Sequence, residues 1–415
     1  MLRLLIGNIL DREDIVMAEW IECKISDIGT VVGGATPSTK KVENYEGGNI
    51  AWITPKDLST FRGRYIQRGE RNITETGLKS CSAQLLPQNT VLFSSRAPIG
   101  YVAITANEVC TNQGFKSVIP NEDTDPLFLF YLLIYNKDKI EGMGSGTTFK
   151  EVSGSTMKNI VVKVPADKEI QIKIASLLGS LDDKIEENEK INNNLLHQAI
   201  ALFDNAQQQA ESISYVELGT LVDVKGGKRL PKGVNLISQP NSHPYIRVRD
   251  LNNVIFTSLS ADFEYVDDET QKSISRYIVS TGDVLISIVG TIGLTAIVDK
   301  TLNNANLTEN CVKLTNMKSV TPEYLLLYLR SSAGVEAIAK GTVGAVQLKL
   351  PIKNIQAIPI PLLEATEMQK LSEILSIIFN QISANVIEAK RLSEIRDTLL
   401  PKLMSGEIDV SSVQL

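Results

Sequence analysis

The chain has few of the residues that build metal centres and disulfide frameworks. Among its 415 residues there are only two histidines, His197 and His243, and four cysteines, none of which forms a CxxC pair. A zinc site needs clustered Cys and His ligands, and a disulfide framework needs regularly spaced cysteines. We therefore expect no metal site and no disulfide framework, and we expect a reducing, cytoplasmic setting.

The sequence also lacks a hydrophobic run long enough to cross a membrane, which takes about 20 residues. The opening MLRLLIGNIL is apolar over only about ten residues, runs into the charged DREDI and has no small-residue cleavage site. Met17 begins MAEW, directly before the first segment that is repeated later in the chain. Residues 1–17 are therefore interpreted as an extension or a misassigned start, with a short native N-terminal helix as the alternative.

Common catalytic motifs are missing. GxxxxGK[ST] and HExxH are absent, GxSxG has no match at a strand-to-helix turn, and the Asn/Asp-Pro-Pro-aromatic motif of adenine methyltransferases is not found. The glycine string Gly142-Met-Gly-Ser-Gly146 follows a helical pattern rather than a strand, which favours a turn over a dinucleotide loop. We expect no catalytic residue and no cofactor bound by this chain.

The net charge of −6 argues at first against a nucleic-acid partner, because phosphate binding needs basic surface. However, residues 24–165 carry 16 Lys+Arg against 13 Asp+Glu, and residues 215–361 carry 15 against 13. The acidic excess lies in residues 1–23, 166–214 and 362–410. The two mildly basic blocks suit DNA contacts, whereas the acidic segments indicate a different kind of structure.

An internal repeat relates the two basic blocks. Aligned on itself, the chain matches first at an offset of 193 residues and, after small gaps, at about 197. The matching pairs are Gly33-Gly34 with Gly226-Gly227, Trp52 with Tyr245, Asp57-Leu58 with Asp250-Leu251, Ile99-Gly100 with Ile292-Gly293, Thr111 with Thr308, and Tyr131-Leu132 with Tyr328-Leu329. Two copies of one module, each followed by its own helix, therefore make up the chain.

Each module is predicted to be a mixed α/β (α+β) unit with a sizeable sheet. Short β-rich runs such as 89–94 and 282–287 alternate with Gly, Pro and Asn punctuation. One short apolar helix is predicted after Pro126 in the first copy and after Pro322 in the second, because proline suits the first helical turn.

The segment after each module has a heptad stripe typical of a coiled coil. The first stripe comprises Leu178, Leu181, Ile185, Asn188, Asn192, Leu195, Ala199 and Leu202, and the second comprises Leu375, Ile378, Ile382, Asn385, Ala389, Leu392, Arg396 and Leu399. Each stripe could cover only its own domain, but two equivalent stripes favour burial against each other, with Asn188 and Asn385 as register markers. Pro401 is predicted to end the second helix.

Basic and polar residues fall in loops at equivalent places of the two copies, which offers donors for phosphates and base edges. The candidates in the first copy are Thr36, Ser38, Lys40, Lys56, Arg62, Arg64, Arg68, Arg71, Ser94, Arg96 and Lys150. Those in the second copy are Lys225, Lys228, Arg229, Lys232, Arg247, Arg249, Ser287 and Gln347. A solvated charged face is the alternative for either cluster. The apolar skeleton agrees between copies while the loop residues mostly differ, which indicates one scaffold that reads two targets.

The order of these motifs resembles that of the specificity subunits of type I restriction-modification systems, from Ala18 to Asp409. The motifs that carry the resemblance are KISDIG at 24–29, GGATPS at 33–38, IAWITPKDL at 50–58, FSSRAPIG at 93–100, GGKR at 226–229, YIRVRDL at 245–251, ISIVGTIG at 286–293 and LLPKLMSGEI at 399–408. The second copy departs by lacking the Thr-Pro-Ser string and by having Val289 where the first has Arg96.

The resemblance implies two target-recognition domains, 18–165 and 215–361, and two helical spacers, 166–214 and 362–415, that form long antiparallel coiled-coil helices. Each domain would read one half of a split site in double-stranded DNA, and the helices would set the gap. It further implies two methyltransferase subunits that bind S-adenosylmethionine, and restriction subunits that use ATP and Mg²⁺. A tandem adaptor for protein or glycan, and a split nuclease or methyltransferase with an unrecognised active site, are the alternatives.

Overall fold

The two copies of the repeat fold with the same strand order, as the sequence predicts. The computed structural model of the chain describes residues 18–96, 98–146 and 150–413. It divides into two compact units, one made of the residues up to Asn188 together with those from Glu388, and the other of Glu189–Ile387. Each unit thus contains one module and parts of both long helices. The predictions for residues 1–17 lie outside the described residues.

The first module alternates short strands with short helices. Its elements are β1 Trp20–Lys24, α1 Ile25–Ile28, β2 Gly29–Gly33, β3 Ile50–Ile53, α2 Pro55–Thr60, β4 Tyr65–Ile66, β5 Arg71–Ile73, α3 Glu75–Lys79, β6 Val91–Ser95, β7 Ile99–Thr105, β8 Cys110–Thr111, β9 Lys116–Pro120, α4 Pro126–Tyr135, α5 Lys137–Gly142, α6 Gly154–Asn159 and β10 Val161–Pro165, with a 3₁₀ turn at Val42–Asn44.

The rest of the chain repeats this order between two long helices. Its elements are α7 Lys168–Gln209, β11 Ser214–Glu217, α8 Leu218–Leu221, β12 Asp223–Gly226, β13 Tyr245–Ile246, β14 Phe256–Thr257, α9 Asp268–Ile274, β15 Val284–Ser287, β16 Thr295–Val298, β17 Asn306–Leu307, β18 Cys311–Thr315, α10 Pro322–Arg330, α11 Ser332–Gly341, α12 Ile352–Gln356, β19 Pro359–Leu362 and α13 Ala365–Ser405. The 3₁₀ turns are Val248–Leu251, Ser275–Tyr277 and Lys300–Leu302.

The main sheets of the modules have one topology. The order is β2-β9-β6-β7-β4 in the first and β12-β18-β15-β16-β14 in the second. In both, the outermost pair, β4 with β7 and β14 with β16, is parallel, and the other neighbours are antiparallel. Because topology and strand direction agree, the repeat in the sequence is a repeat of the fold.

A small antiparallel sheet joins the beginning of each module to its end. Strand β1 pairs with β10, from Trp20 opposite Pro165, and β11 pairs with β19, from Ser214 opposite Leu362. The chain passes from β10 into α7 and from β19 into α13 within a few residues. Each long helix therefore leaves its module from a paired strand rather than from a free linker.

Apolar side chains of α4 and α10 form the centre of each module. Asp125 and Thr321 accept hydrogen bonds from the main-chain N–H groups of the first turns, and the prolines at 126 and 322 suit those turns. The stretches 128–133 and 324–329 are buried throughout. In both copies, the long helix that follows the module adds its first apolar turns to the same core, with Leu178 and Leu375 fully buried.

Hydrogen bonds join the two long helices in antiparallel fashion within each unit. In the first unit, Asp182 contacts Arg396 and Asn188 Nδ2 donates to Glu388 Oε2 at 2.9 Å. In the second, Asn385 Nδ2 donates to Asn192 Oδ1 at 2.8 Å. All three stripe asparagines, Asn188, Asn192 and Asn385, thus bond across the pair, where a polar residue specifies register.

The stripe leucines and isoleucines lie in the cores or at their margins. Leu181, Ile378 and Ile382 are buried, and the remaining members are half-buried; these are Ile185, Leu195, Leu202, Leu392 and Leu399. Leu195 and Leu202 of the first stripe pack against the core of the second unit, to which Ile378 and Ile382 belong, and Leu399 of the second stripe packs against the core of the first unit. Each stripe therefore contributes to the cores of both units.

The prediction that Pro401 ends the second helix is wrong. Helix α13 continues to Ser405, and Gly406, with φ of 79°, lies in the left-handed region that favours glycine at a helix end. Leu403 and Met404 are buried in the core of the first unit. Their burial offsets the hydrogen bond that proline cannot donate.

Each matching loop begins with two glycines, and the second of them is required for steric reasons. A Cβ atom on Gly34 would lie 2.2 Å from the Thr111 carbonyl oxygen, and one on Gly227 would lie 2.0 Å from that of Thr308. We expect Gly34→Ala and Gly227→Ala each to destabilise the fold by about 3 kcal/mol, because main-chain atoms have little room to move. Urea unfolding of the full chain measures this loss.

The neighbouring Gly33 provides the control for this prediction. A Cβ atom there meets nothing within 4 Å. We expect Gly33→Ala to change the stability by no more than about 1 kcal/mol. Equal effects of substitution at Gly33 and Gly34 would contradict the steric explanation.

Candidate nucleic-acid interface

In the first module, the loop that carries Thr36, Ser38 and Lys40 is held by aromatic side chains. The indole Nε1 of Trp52 donates to the Ala35 carbonyl at 3.1 Å, and the Tyr45 hydroxyl donates to the Pro37 carbonyl at 2.7 Å. The Ala35 N–H donates to the Thr111 carbonyl at 3.0 Å. The loop is therefore seated on the ends of β3 and β8.

The second module holds the equivalent loop in the same way. The hydroxyl of Tyr245, which matches Trp52 in the repeat, donates to the Lys228 carbonyl at 2.8 Å, and Lys228 matches Ala35. The Lys228 N–H donates to the Leu307 carbonyl at 2.8 Å. Sequence comparison found the Trp52–Tyr245 match but not its role, since the two rings reach the same carbonyl through different polar atoms.

Further segments lie beside the glycine loop at one end of the sheet, joined by main-chain hydrogen bonds. In the first module, the Ser95 N–H donates to the Gly114 carbonyl and the Val152 N–H donates to the Ser95 carbonyl. In the second, Ile288 N–H donates to Asn310 and Leu350 N–H donates to Ile288. We call the surface formed by these segments and the glycine loop the loop end of a module. The same main-chain frame supports it in both copies.

Two serines proposed as DNA contacts are part of this frame instead. Ser94 is buried; its hydroxyl donates to the Pro98 carbonyl and accepts from the Tyr101 N–H. Ser287 does the same with Thr291 and Leu294. Both serines are removed from the candidate contacts, because a buried hydroxyl with satisfied bonds has no donor left for DNA.

Several candidates are exposed and available. Among the residues that the structure describes, no acidic partner within salt-bridge distance is found for Lys40, Arg62, Arg68 or Lys232. Ser38, Lys150 and Gln347 are exposed as well, and Thr36 bonds to Gln113, a loop-end residue that the sequence reasoning missed. Gln113 lies two residues after the repeated Thr111, and that position is the only signal that could have indicated it.

The other basic candidates have partners at the surface. Lys56 pairs with Glu70, Arg96 with Glu151, Lys225 with Asp223, Arg229 with Glu309, and Arg247 and Arg249 with Glu264. Arg71 lies over the Tyr45 ring and Lys228 over the Tyr277 ring. Arg247 and Glu264 are half-buried, but the other pairs are more exposed and are worth about 1 kcal/mol or less, so a phosphate can replace their acidic partners at little cost.

Arg64 does not belong to the loop end. Its side chain is buried, bonds to Glu186 and to the Gly179 carbonyl, and forms an ion pair with Asp183. Burial lowers the pKa of this guanidinium, but the hydrogen bonds to Glu186 and Asp183 outweigh burial and raise it above its ordinary value. The expectation that Arg64 contacts DNA is corrected: its charge is used inside the protein, at α7.

The described residues provide little for metal chemistry or membrane insertion. Across the described ranges, no cluster of three or more His, Cys, Asp or Glu side chains could hold a metal ion. The helices in the same ranges include none with the length and apolarity needed to span a bilayer.

A family model for the type I restriction modification DNA specificity domain matches the chain twice, at residues 17–197 and 211–396. The two matches cover most of the sequence, and each includes one copy of the module and much of the long helix that follows it. The chain belongs to the family of type I restriction-modification specificity subunits.

Curated specificity subunits match along nearly the whole chain. The type I restriction enzyme MjaIX specificity subunit of Methanocaldococcus jannaschii is 31% identical, with 95% of each chain covered. The HindI specificity subunit of Haemophilus influenzae is 23% identical and covers 94% of this chain and 100% of its own. A crystal structure of the S subunit from M. genitalium, 17% identical, has a TM-score of 0.55 over 94% of this chain and 98% of that one, which supports the fold.

Proposed function

We propose that this specificity subunit reads a bipartite site in double-stranded DNA, with one half recognised at the loop end of each module. The observation that carries the proposal is one main-chain frame, held by Trp52 or Tyr245, that presents different polar residues in its two copies. Phosphate contacts from basic side chains would position each module, and a few side chains would read base edges.

The subunit is proposed to be non-catalytic and to act in the cytoplasm within a complex. Two methyltransferase subunits would bind along the helices and supply S-adenosylmethionine chemistry, and restriction subunits would supply ATP- and Mg²⁺-dependent work. The helical segments are acidic and expose isoleucines, among them Ile200, Ile374 and Ile377. Exposed apolar residues on a charged helix suit protein contacts better than DNA contacts.

The test is co-expression with the methyltransferase subunit encoded nearest to this chain, followed by mapping of methylated adenines in host DNA. We expect a split motif with adenine methylated in both halves, which disappears when this chain is deleted. A soluble complex without chain-dependent methylation would contradict the proposal.

Substitutions at the loop end test the contacts in the same complex. Lys40 in the glycine loop and Lys150 beside the Val152 segment are exposed, and we expect the double variant Lys40→Ala, Lys150→Ala to bind DNA about tenfold more weakly at moderate salt. The slope of log affinity against log salt should fall by about 0.9 for each lost phosphate contact. Lys163→Ala is the control, because Lys163 lies on β10, over Trp20 and away from the loop end; an equal loss there would contradict the assignment.

A further inference from the structure

A partly buried charged cluster connects the first module to both long helices within the first unit, with the side chains of Arg64 and Asp182 buried and that of Asp183 exposed. Asp182, 6% exposed, accepts the Tyr131 hydroxyl at 2.5 Å on one carboxylate oxygen and Arg396 Nη1 at 2.6 Å on the other. Arg64 bonds to Asp183 and Glu186 one turn along α7. We call these six residues the charged seat. Tyr131 and Arg64 belong to the module, and the other four belong to the helices.

The equivalent place in the second module is apolar. The Ile104 N–H donates to the Arg64 carbonyl and the Ile297 N–H donates to the Ile255 carbonyl, so Ile255 stands where Arg64 does. At the 197-residue offset, Phe379 replaces Asp182 and Ala199 replaces Arg396.

Phe379 and Ala199 are almost completely buried. The Phe379 ring packs edge-on against Phe256 with 6.2 Å between centroids. Tyr328, which matches Tyr131, donates to the Pro359 carbonyl at 2.5 Å instead of to a helix. The second module is thus seated on its helices by apolar packing alone at these positions.

Comparison of the two modules shows which property of the first module depends on the charges, its folding or its orientation on the helices. Replacing a buried ion pair by apolar residues of similar volume is often neutral or stabilising, and the second module shows that this fold accepts the apolar version. The charges of the first seat are therefore not needed for the module to fold. A buried ion pair instead restricts the orientation of the groups it joins, because its hydrogen bonds form only over a narrow range of distances and angles. Apolar contacts allow the packed elements to shift slightly against each other.

We propose that Asp182, Arg396 and Arg64 are positioning residues that set the orientation of the first recognition module on the helices and thereby narrow the range of gap lengths that the subunit accepts. The inference rests on the proposed function. A cavity of about 180 Å³ borders the seat and is lined by Arg62, Ile185 and Leu400, among others. Without the bonds to Asp182, the seat has room to shift.

The experiment uses the full chain in its methyltransferase complex and a DNA library in which the two half-sites are separated by the native gap or by one or two base pairs more or fewer. The test variants are Asp182→Leu and Arg396→Met, which keep side-chain volume but remove the bonds. We expect methylation at neighbouring gaps, relative to the native gap, to rise by at least about threefold.

Two further variants and the wild-type chain serve as comparisons. Asp182→Asn keeps an acceptor for Tyr131 but loses the charge that binds Arg396, so it should widen the gap profile as Arg396→Met does. Asp204→Leu, at an exposed position of the same helix, should leave the gap profile unchanged. An unaltered gap profile in folded Asp182→Leu and Arg396→Met overturns the inference, and so does failure of both to fold, because the seat would then be structural. Absence of any split motif with the wild-type chain would instead contradict the proposed function.

Discussion

A subunit with one heptad added to each long helix should direct methylation to a site whose gap is about three base pairs wider. Seven residues lengthen an α-helix by about 10 Å, and base pairs are stacked about 3.4 Å apart. The inserts are tandem copies of residues 184–190 in α7, placed after Lys190, and of residues 380–386 in α13, placed after Val386. Mapping of methylated adenines reads the new gap directly.

The inserts are placed so that the hydrogen bonds between the two long helices are kept. The contact of Asn188 with Glu388 lies in the first unit, and that of Asn192 with Asn385 lies in the second. Inserts between these two contacts leave both intact. A heptad also keeps the stripe in phase, since it falls only about 20° short of two helical turns.

Rotation limits how well the longer subunit works. Three base pairs turn the DNA by about 100°, far more than the helix pair turns over one heptad. We therefore expect the lengthened subunit to methylate its new site more slowly than the wild type methylates its own. An insert in α7 alone is the control, because it shifts the register of one helix and should abolish methylation. An unchanged gap in the doubly lengthened chain would refute the ruler role of the helices.

The architecture could be predicted from the sequence because the chain contains two copies of the same module. Each of the matches at offsets 193 and 197 is a structural position, as Gly34 and Gly227 show through the same steric conflict with a carbonyl oxygen. The heptad stripes indicated both long helices, because apolar residues at this spacing line one face of a helix, and two equivalent stripes favoured a helix pair. Pro401 misled because the burial of Leu403 and Met404 depends on a core formed far away in the sequence.

The candidate site was harder to predict, since composition does not show where a side chain ends. Arg64 lies among exposed arginines in the sequence, yet it points to carboxylates that are more than 100 residues away. Ser94 and Ser287 match between copies because they hold the same turn. Agreement between copies therefore indicated residues of the main-chain frame, whereas the exposed loop residues proposed to contact DNA differ between copies. The aromatic pair Trp52 and Tyr245 belongs to the frame for the same reason.

Exchange of the first module, residues 24–165, for the equivalent region of a relative should change one half of the recognised motif and leave the other half and the gap intact. The physical reason is that the loop end of each module is built from its own strands and loops. For the first module, these supports include Trp52, Tyr45 and the main chain at Thr111. The measurement is the motif that methylation mapping recovers from the chimaera.

The charged seat sets a condition on the choice of donor. Arg64 and Tyr131 come from the exchanged region, but their partners Asp182, Asp183 and Glu186 stay with α7. A donor module without an arginine and a tyrosine at these places leaves the buried Asp182 with Arg396 as its remaining partner and the half-buried Glu186 without its arginine, which is costly. We therefore expect a chimaera that retains both residues to keep a single gap, and a matched chimaera with Arg64→Ile and Tyr131→Phe to lose stability or accept several gaps. Alteration of both half-sites in the first chimaera would contradict modular reading, because the second module and its loop end are untouched.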